Sequence, residues 1–412
     1  MNVLIVSSKY PPEYSGSGNR AHQTYLRLHD KYGIDFQVMS GSETYETSHS
    51  YLFDDVSVKR VSRRKSYGVE VGPTFRLFRS FMNSLAQRVS YVREFFPAFW
   101  FMYKIRHEFD LVHVFGHVTV TDAAISFAKI FRKPIIVELT SDRRTPWPNE
   151  MRVIKWFWGG DLPRDTQIIC ISERLQDMCV SHGITKNIWT RPNPIDVNRF
   201  KPLHNQCDKL RLQLTKFNSD DMVIISIGKF NPNKNQIFLL EVLKHLPSVY
   251  KLILAGPLSE SGPFKQRDQE YFDSIVTRIE RDGLESRVEL KSSFLSNPEY
   301  FMNLSDVYAI SSLSEGLGTP LIESIACATP VVACAMEGIT NKWIVNGRNG
   351  YESGRDPQEF SQFVVLASEI GRDSLLRCSE SVRDLADEEK VDGKYALILS
   401  QTANVGAEIV SR

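Results

Sequence analysis

The sequence predicts an α/β protein of two doubly wound, parallel-sheet domains, and three observations carry that expectation. At 412 residues the chain exceeds what one ordinary hydrophobic core serves, so two domains of about 200 residues each are expected. Short continuous apolar runs alternate with longer amphipathic stretches, as parallel strands covered by helices on both faces do. That alternation stops at 191–196, which reads Arg-Pro-Asn-Pro-Ile-Asp, and then begins again.

In the first series, strands are expected at 3–7, 35–39, 111–115, 134–139 and 167–171, and helices at 20–30, 119–131 and 173–182. Val3-Leu4-Ile5-Val6 is apolar at every position, as a strand buried on both faces requires. Ser172 stands ahead of Glu173 as a side-chain N-cap. Pro192 and Pro194 forbid a continuous helix or central strand, which places the hinge there. The second series predicts strands at 222–228, 251–255, 287–290, 307–310 and 330–333, with helices near 235–245, 266–282, 298–304 and 319–327. A last helix, 388–411, has no strand after it to join the second sheet and is expected to pack back on the first domain. The domains expected are therefore 1–194, 195–385 and the returning helix 386–412.

Composition narrows the function classes. A formal charge of +1 argues against a protein that coats nucleic acid. The six cysteines are scattered, without metal-ligand spacing, and read as reduced, packed thiols. The chain enters a buried strand at once, with no basic leader, which predicts a cytoplasmic location. The longest apolar run, 97–103, is far short of the roughly 20 residues a bilayer crossing needs. Between 59 and 106, eleven Lys/Arg face two acids and interleave with Phe75, Phe78, Phe81, Phe95, Phe96, Phe99, Trp100 and Phe101. Two readings of that stretch stand: contact with an anionic membrane surface, or an ordinary helix with a buried aromatic face and solvated arginines.

The segment 311–323, Ser-Ser-Leu-Ser-Glu-Gly-Leu-Gly-Thr-Pro-Leu-Ile-Glu, carries the most chemistry. A strand runs into a glycine-bearing loop, after which Thr319 as N-cap and Pro320 start a helix. Backbone N–H groups at such a helix start favour an anion such as a diphosphate, and Gly316 and Gly318 let that backbone come close. Glu315 on the loop and Glu323 one turn into the helix are expected at the same mouth, where carboxylates accept from sugar or ribose hydroxyls. Strand 222–228 likewise ends in a tight loop bearing Lys229 and Lys234, two cations able to bracket a leaving diphosphate.

These two loops, with Arg191-Pro192-Asn193-Pro194-Ile195-Asp196, resemble glycosyltransferase family 4, most densely over 190–350. The resemblance implies the GT-B architecture: two Rossmann-like domains facing each other across a cleft, the donor held mainly by the second and the acceptor by the first. It gives Lys229 and Lys234 the diphosphate, Glu323 the donor ribose, and Glu315 with the amides of Gly316, Leu317, Gly318 and Thr319 the transferred sugar. Lys229 is usually arginine in that family, so a bidentate fork is replaced by a point charge. Where the family often shows His-x-His, this chain has His113 and, after Phe115 and Gly116, His117, which takes the catalytic place through the Gly116 turn. Glu138 or Asp142, in the segment where the family commonly has a His-Asp or His-Gly, is expected on the acceptor side with His113. Gly16 and Gly18 match a dinucleotide fingerprint on paper, yet lie about ten residues beyond the strand, and fit better as a loop near the donor phosphate or sugar.

The function expected is thus a retaining, metal-independent transfer of a sugar from a UDP- or GDP-sugar to a glycan or lipid-linked acceptor, with no cofactor. A sugar-nucleotide epimerase, a non-catalytic GT-B partner subunit and an NAD-dependent oxidoreductase are the rival readings.

Overall fold

The computed structural model describes the chain outside residues 14–15, 43–46, 62–75, 117, 141–161, 164, 204–205, 260–263, 316–317 and 411–412, with side chains also left out at 76–89 and 405–410. It divides into two compact units, 1–191 with 389–412, and 192–388. Each boundary lies three residues from its expected place (191 against 194, 388 against 385).

In the first unit the apolar runs become β1 (Asn2–Ser7), β2 (Asp35–Ser40), β5 (Leu111–Phe115), β6 (Ile135–Leu139) and β7 (Gln167–Cys170). The sequence pattern did not reveal β3 (His49–Phe53), β4 (Val56–Arg60) or the three-residue β8 (Ile188–Thr190). The strand order is β3-β4-β2-β1-β5-β6-β7-β8, all pairs parallel except the β3/β4 hairpin. That hairpin turns on Asp54 and Asp55, both with positive φ (47° and 60°), so its turn carries no glycine to announce it. Helices α1 (Gly16–Tyr32), α2 (Arg76–Lys104), α3 (Thr119–Phe131) and α4 (Glu173–Ser181) connect the strands. Ser172 caps α4 as expected, its Oγ accepting from Leu175 N at 3.4 Å. The first unit's strand order reverses between β1 and β5.

The second unit opens with α5 (Cys207–Leu214), then alternates β9 (Met222–Ile227), α6 (Gln236–Lys244), β10 (Tyr250–Ala255), α7 (Lys265–Arg281), β11 (Val288–Lys291), α8 (Pro298–Leu304), β12 (Val307–Ile310), α9 (Thr319–Ala326) and β13 (Val331–Cys334). Each predicted strand and helix here falls within two residues of its expected ends. Then α10 (Thr340–Trp343), β14 (Gly350–Ser353), α11 (Pro357–Ser368) and α12 (Arg372–Ala386) follow. The sheet is wholly parallel, ordered β11-β10-β9-β12-β13-β14. From β9 the chain winds outward one way, and from β12 the other. The loops after β9 and β12 therefore diverge at a topological switch point, where a parallel sheet leaves a crevice at its carboxyl edge.

The last helix, α13 (Glu388–Val410), belongs to the first unit from residue 389 onward. Val391, Tyr395, Ile398 and Leu399 enter the same core as Val3, Ile5 and Tyr25, and Arg27 Nε pairs with buried Asp392 at 2.7 Å. Tyr395 also donates its phenol to buried Glu138. Replacing Tyr395 by Phe removes a hydrogen bond from a carboxylate that water cannot reach, which costs about 1–3 kcal/mol. We predict a lower urea midpoint for Tyr395→Phe with an unchanged m-value; an unchanged midpoint would show that the contact contributes nothing.

Candidate functional site: the carboxyl edge of the second sheet

The loop after β9 begins at Gly228, where a Cβ would meet the Lys234 side chain at 3.3 Å. Glycine there lets the Lys234 stem fold across the strand end. Behind it, Gly256 has φ 149°, and a Cβ at that position would stand 2.2 Å from Gly228 O. Only glycine fits that approach of two backbones. The loops after β9 and β10 therefore lie in direct contact, with Gly228 N donating to Ala255 O (2.8 Å) and Phe230 N to Pro257 O (3.2 Å).

The loop after β12 is fastened to the first of these. Leu313 N donates to Asn233 O (2.7 Å), Asn233 Nδ2 to Ser314 O (2.8 Å), Ser314 Oγ to Asn233 Oδ1 (2.9 Å) and Ser311 Oγ to Lys234 O (2.9 Å). From the other side Arg355 donates to the carbonyls of Ser311, Ser312 and Leu313 at 3.0–3.4 Å. At the centre Lys234 Nζ lies 2.5 Å from Glu315 Oε1, which also accepts from Ser312 Oγ at 2.5 Å. Lys234 and Glu315 are thus brought together, as the sequence predicted.

Lys229 stands elsewhere on the same edge. Its Nζ is 3.6 Å from Asp268 Oδ2, and Asp268 also binds Arg267 (Nη2 to Oδ1, 2.6 Å) and the Ser259 hydroxyl. Burial pushes the Asp268 carboxyl up, but hydrogen bonds from Ser259 and Arg267 and the charges of Arg267 and Lys229 outweigh it and hold the group below its usual range. Sequence reasoning missed Asp268 and Arg267. Both sit in the first turn of α7, where nothing but the fold brings them beside the loop after β9.

The helix start differs in one detail from expectation. Gly318, not Thr319, is the N-cap of α9, with φ 60°, and Thr319 and Pro320 are its first two helical residues. A Cβ on Gly318 would come within 2.9 Å of Ile339 Cγ2, so any other residue at this left-handed cap would be strained and would displace Ile339. Thr319 instead accepts a hydrogen bond from Asn193 Nδ2 through its Oγ1 (2.5 Å). Pro320 brings no N–H, and Leu321 N already bonds Gly318 O (2.9 Å). The amide of Thr319 has no acceptor within the helix, as the first turn dictates. Gly316 and Leu317 lie outside the described residues.

Glu323 is one turn further into α9. Burial pushes its carboxyl up to about 7; Arg199 opposes the rise and Glu299 adds to it. Tyr308, on β12, lies in the field of both glutamates: burial raises its phenol far above the usual range, and the charges of Glu323 and Glu315 both add to the rise. Its hydroxyl donates to Ile227 O at 3.1 Å, across the switch point between β12 and β9. Sequence reasoning gave Tyr308 no role, since a tyrosine within an apolar strand reads as core.

The first-unit candidates are placed differently. His113 and Glu138, expected to face an acceptor, are both fully buried. Glu138 is held by Arg191 (3.4 Å), Arg20 (3.8 Å) and Tyr395, and His113 Nδ1 bonds Tyr25 OH (2.7 Å). Burial pushes His113 down to about 4, so it is neutral near pH 7 despite Glu138. Burial acts to raise Glu138, but the charges of Arg191 and then Arg20, with the hydrogen bond from Tyr395, hold it low and ionised. Both belong to a buried cluster within the first unit rather than standing exposed at the sheet edge, because β5 and β6 are central strands of that sheet. Gly18 is buried in the first turn of α1, and a Cβ there would lie 2.4 Å from Lys9 O, so its glycine serves a backbone contact within the unit. Gly16 is exposed at the start of α1. His117 and Asp142 lie outside the described residues. Among the described residues, no group of three or more His, Cys, Asp and Glu is placed to hold a metal ion.

Because Glu323 is raised from 4.5 to about 7, its contribution to stability is full below the ordinary carboxyl range and is lost as pH rises through 7. We predict that Glu323→Gln abolishes this part of the fall, so that its melting temperature exceeds that of the unsubstituted protein at pH 8 but not at pH 4.5. Parallel melting curves across that window would contradict the assigned burial.

Residues 211–364 match the family described as glycosyl transferases group 1. An uncharacterized glycosyltransferase of Methanocaldococcus jannaschii is 29% identical over 145 residues, covering 34% of this chain and 32% of that protein. The D-inositol 3-phosphate glycosyltransferase of Mycobacterium leprae is 29% identical over 146 residues, 35% of this chain and 32% of the relative. The matched stretch thus spans about a third of the length of these curated relatives. Among solved structures, Anabaena HepE in complex with UDP superposes with TM-score 0.68 at 19% identity, covering 97% of this chain and 100% of that one. Sucrose-phosphate synthase from Thermosynechococcus elongatus gives 0.67 at 15% identity, over 97% and 98%. At those identities the likeness is one of fold. The chain has the GT-B fold, and within its second unit residues 211–364 match the group 1 glycosyl transferase family.

Proposed function

We propose that this chain is a retaining glycosyltransferase that takes a sugar from a UDP- or GDP-sugar and transfers it to a glycan or lipid-linked acceptor without a metal ion. The observation that carries the reading is the junction of Lys234, Glu315 and the start of α9 at the switch point of the second sheet. A diphosphate suits that edge: two lysines and a helix start supply positive potential, and both lysines rest on carboxylates until an anion competes for them. UDP and UDP-glucose complexes of the structurally similar HepE favour a uridine donor.

In this proposal the bond between the sugar's anomeric carbon and the diphosphate oxygen breaks, and its electron pair stays on the diphosphate. Lys229 and Lys234 stabilise that charge, as preorganised cations do most effectively where charge develops. The acceptor hydroxyl attacks from the face the diphosphate leaves, and its proton passes to the departing phosphate oxygen. Anomeric configuration is thereby retained. Glu323 takes the donor ribose, and Glu315 a hydroxyl of the transferred sugar.

Lys234→Ala is expected to lower turnover of the nucleotide sugar by about a hundredfold or more, in line with the loss of one oxyanion-type donor. Saturating the protein with its donor nucleotide at 100 times the dissociation constant should add about 2.7 kcal/mol of stability, read as a thermal shift across UDP, GDP and their sugars. Normal turnover by Lys234→Ala, or turnover abolished by EDTA in the unsubstituted protein, would refute the corresponding part of the proposal.

A further inference from the structure

The second half of α2 turns an apolar stripe to solvent. Val92, Phe96 and Trp100 recur every fourth residue, hence on one side of the helix, and are 50%, 58% and 57% exposed. The opposite side is ordinary core: Phe95, Ala98 and Met102 are buried, and Phe99 and Tyr103 pack on Phe131 of α3. Burial within the first unit therefore accounts for one face of α2 and leaves the other without a described partner.

Charge on the exposed side has a single sign. Arg93 and Lys104 are exposed beside the stripe, and Lys104 Nζ sits 5.8 Å above the Trp100 ring. The one acid among 76–104, Glu94, is buried. Arg132, exposed at the end of α3, adds a further cation next to the helix that Phe131 docks. A solvated face would not need three large apolar groups in line, and a protein partner of acidic character would not account for the Trp and Phe at one level. Aromatic anchors with flanking cations and no exposed acid on the helix itself, the exposed Glu108 and Asp110 lying beyond its end, match the boundary between anionic headgroups and acyl chains. No helix among the described residues is long and apolar enough to cross a bilayer, so any such contact is peripheral.

We infer that Val92, Phe96 and Trp100 form an interfacial docking face for an anionic lipid surface, held there by Arg93 and Lys104. This goes beyond the glycosyl transfer proposed above and is independent of it. Headgroup attraction brings the cations to the surface, and the aromatic rings then lodge below the phosphates, parallel to the helix axis.

Flotation with vesicles of phosphatidylcholine alone or mixed with phosphatidylglycerol tests the inference without any catalytic readout, so its failure leaves the transferase proposal standing. The protein should float with the mixed vesicles and not with the neutral ones. Phe96→Ser with Trp100→Ser, and separately Arg93→Glu with Lys104→Glu, should each weaken that binding at least about tenfold. All four positions are exposed, so melting temperature should hold, and the charge-reversal pair keeps the test valid if the serine pair unfolds. Trp100→Phe should still float but lose most of the blue shift in tryptophan emission. Absence of flotation with mixed vesicles, equal flotation with neutral ones, or variants that float normally would each overturn the inference. So would a solution dimer that Trp100→Ser dissociates, which would make the face a contact between copies.

Discussion

The contact between Lys234 and Glu315 is the interaction on which the carboxyl edge of the second sheet is built. Two loops leave a parallel sheet in opposite directions at a switch point, and left alone they would splay apart. The ion pair, the Asn233 and Ser311 to Ser314 hydrogen bonds and the Arg355 clamp hold them as one surface. Gly256 seats the loop after β9 from behind, since a side chain there would collide with the Gly228 backbone, and Gly228 leaves room for the Lys234 stem. The cost is that both lysines are already neutralised by carboxylates. Under the proposed function, an anionic donor would meet partners held in position rather than free cations, which is the preorganisation on which electrostatic stabilisation rests.

The first unit shows the same physics directed inward. Glu138 and His113 sit on central strands, out of reach of water, and Glu138 stays ionised only because Arg191, Arg20 and Tyr395 surround it. Arg191 ends the first stretch of this unit and Tyr395 lies near the start of its second, so one buried carboxylate anchors the chain where it leaves the unit and where it returns. On the other unit's side the same two stretches are paired, with Ile195 N donating to Ala386 O and Glu388 N to Ile195 O. A buried charge so arranged is destabilising unless every partner is present. It explains why a helix with no strand after it belongs to the first unit at all.

Legibility in sequence followed burial. β9, β10, β12 and β13 are buried strands whose apolar runs cannot be solvated, and their predicted ends were right to within a residue or two. The hairpin β3/β4 and the short β8 escaped notice because an edge strand needs only half its residues apolar, and Asp54-Asp55 turns without glycine. Within the site, Glu315 and Lys234 were legible because each follows a buried strand in a glycine-bearing loop, in a pattern that resembles a known family. Asp268, Arg267 and Tyr308 were not, since each reads as a helix or core residue until the sheet order puts it beside the loop after β9.

The sequence alone determined the alternation of strands and helices, the two-part organisation and the chemical kinds of group at the carboxyl edge, because apolar periodicity and proline and glycine placement act over short stretches of chain. Only the tertiary structure decided which charges pair, that Gly318 rather than Thr319 caps α9, and that Glu138 and His113 turn inward while Phe96 and Trp100 turn out. Those outcomes depend on contacts between residues far apart in the chain, and a side chain's titration and exposure are set by what packs against it, not by its neighbours in sequence.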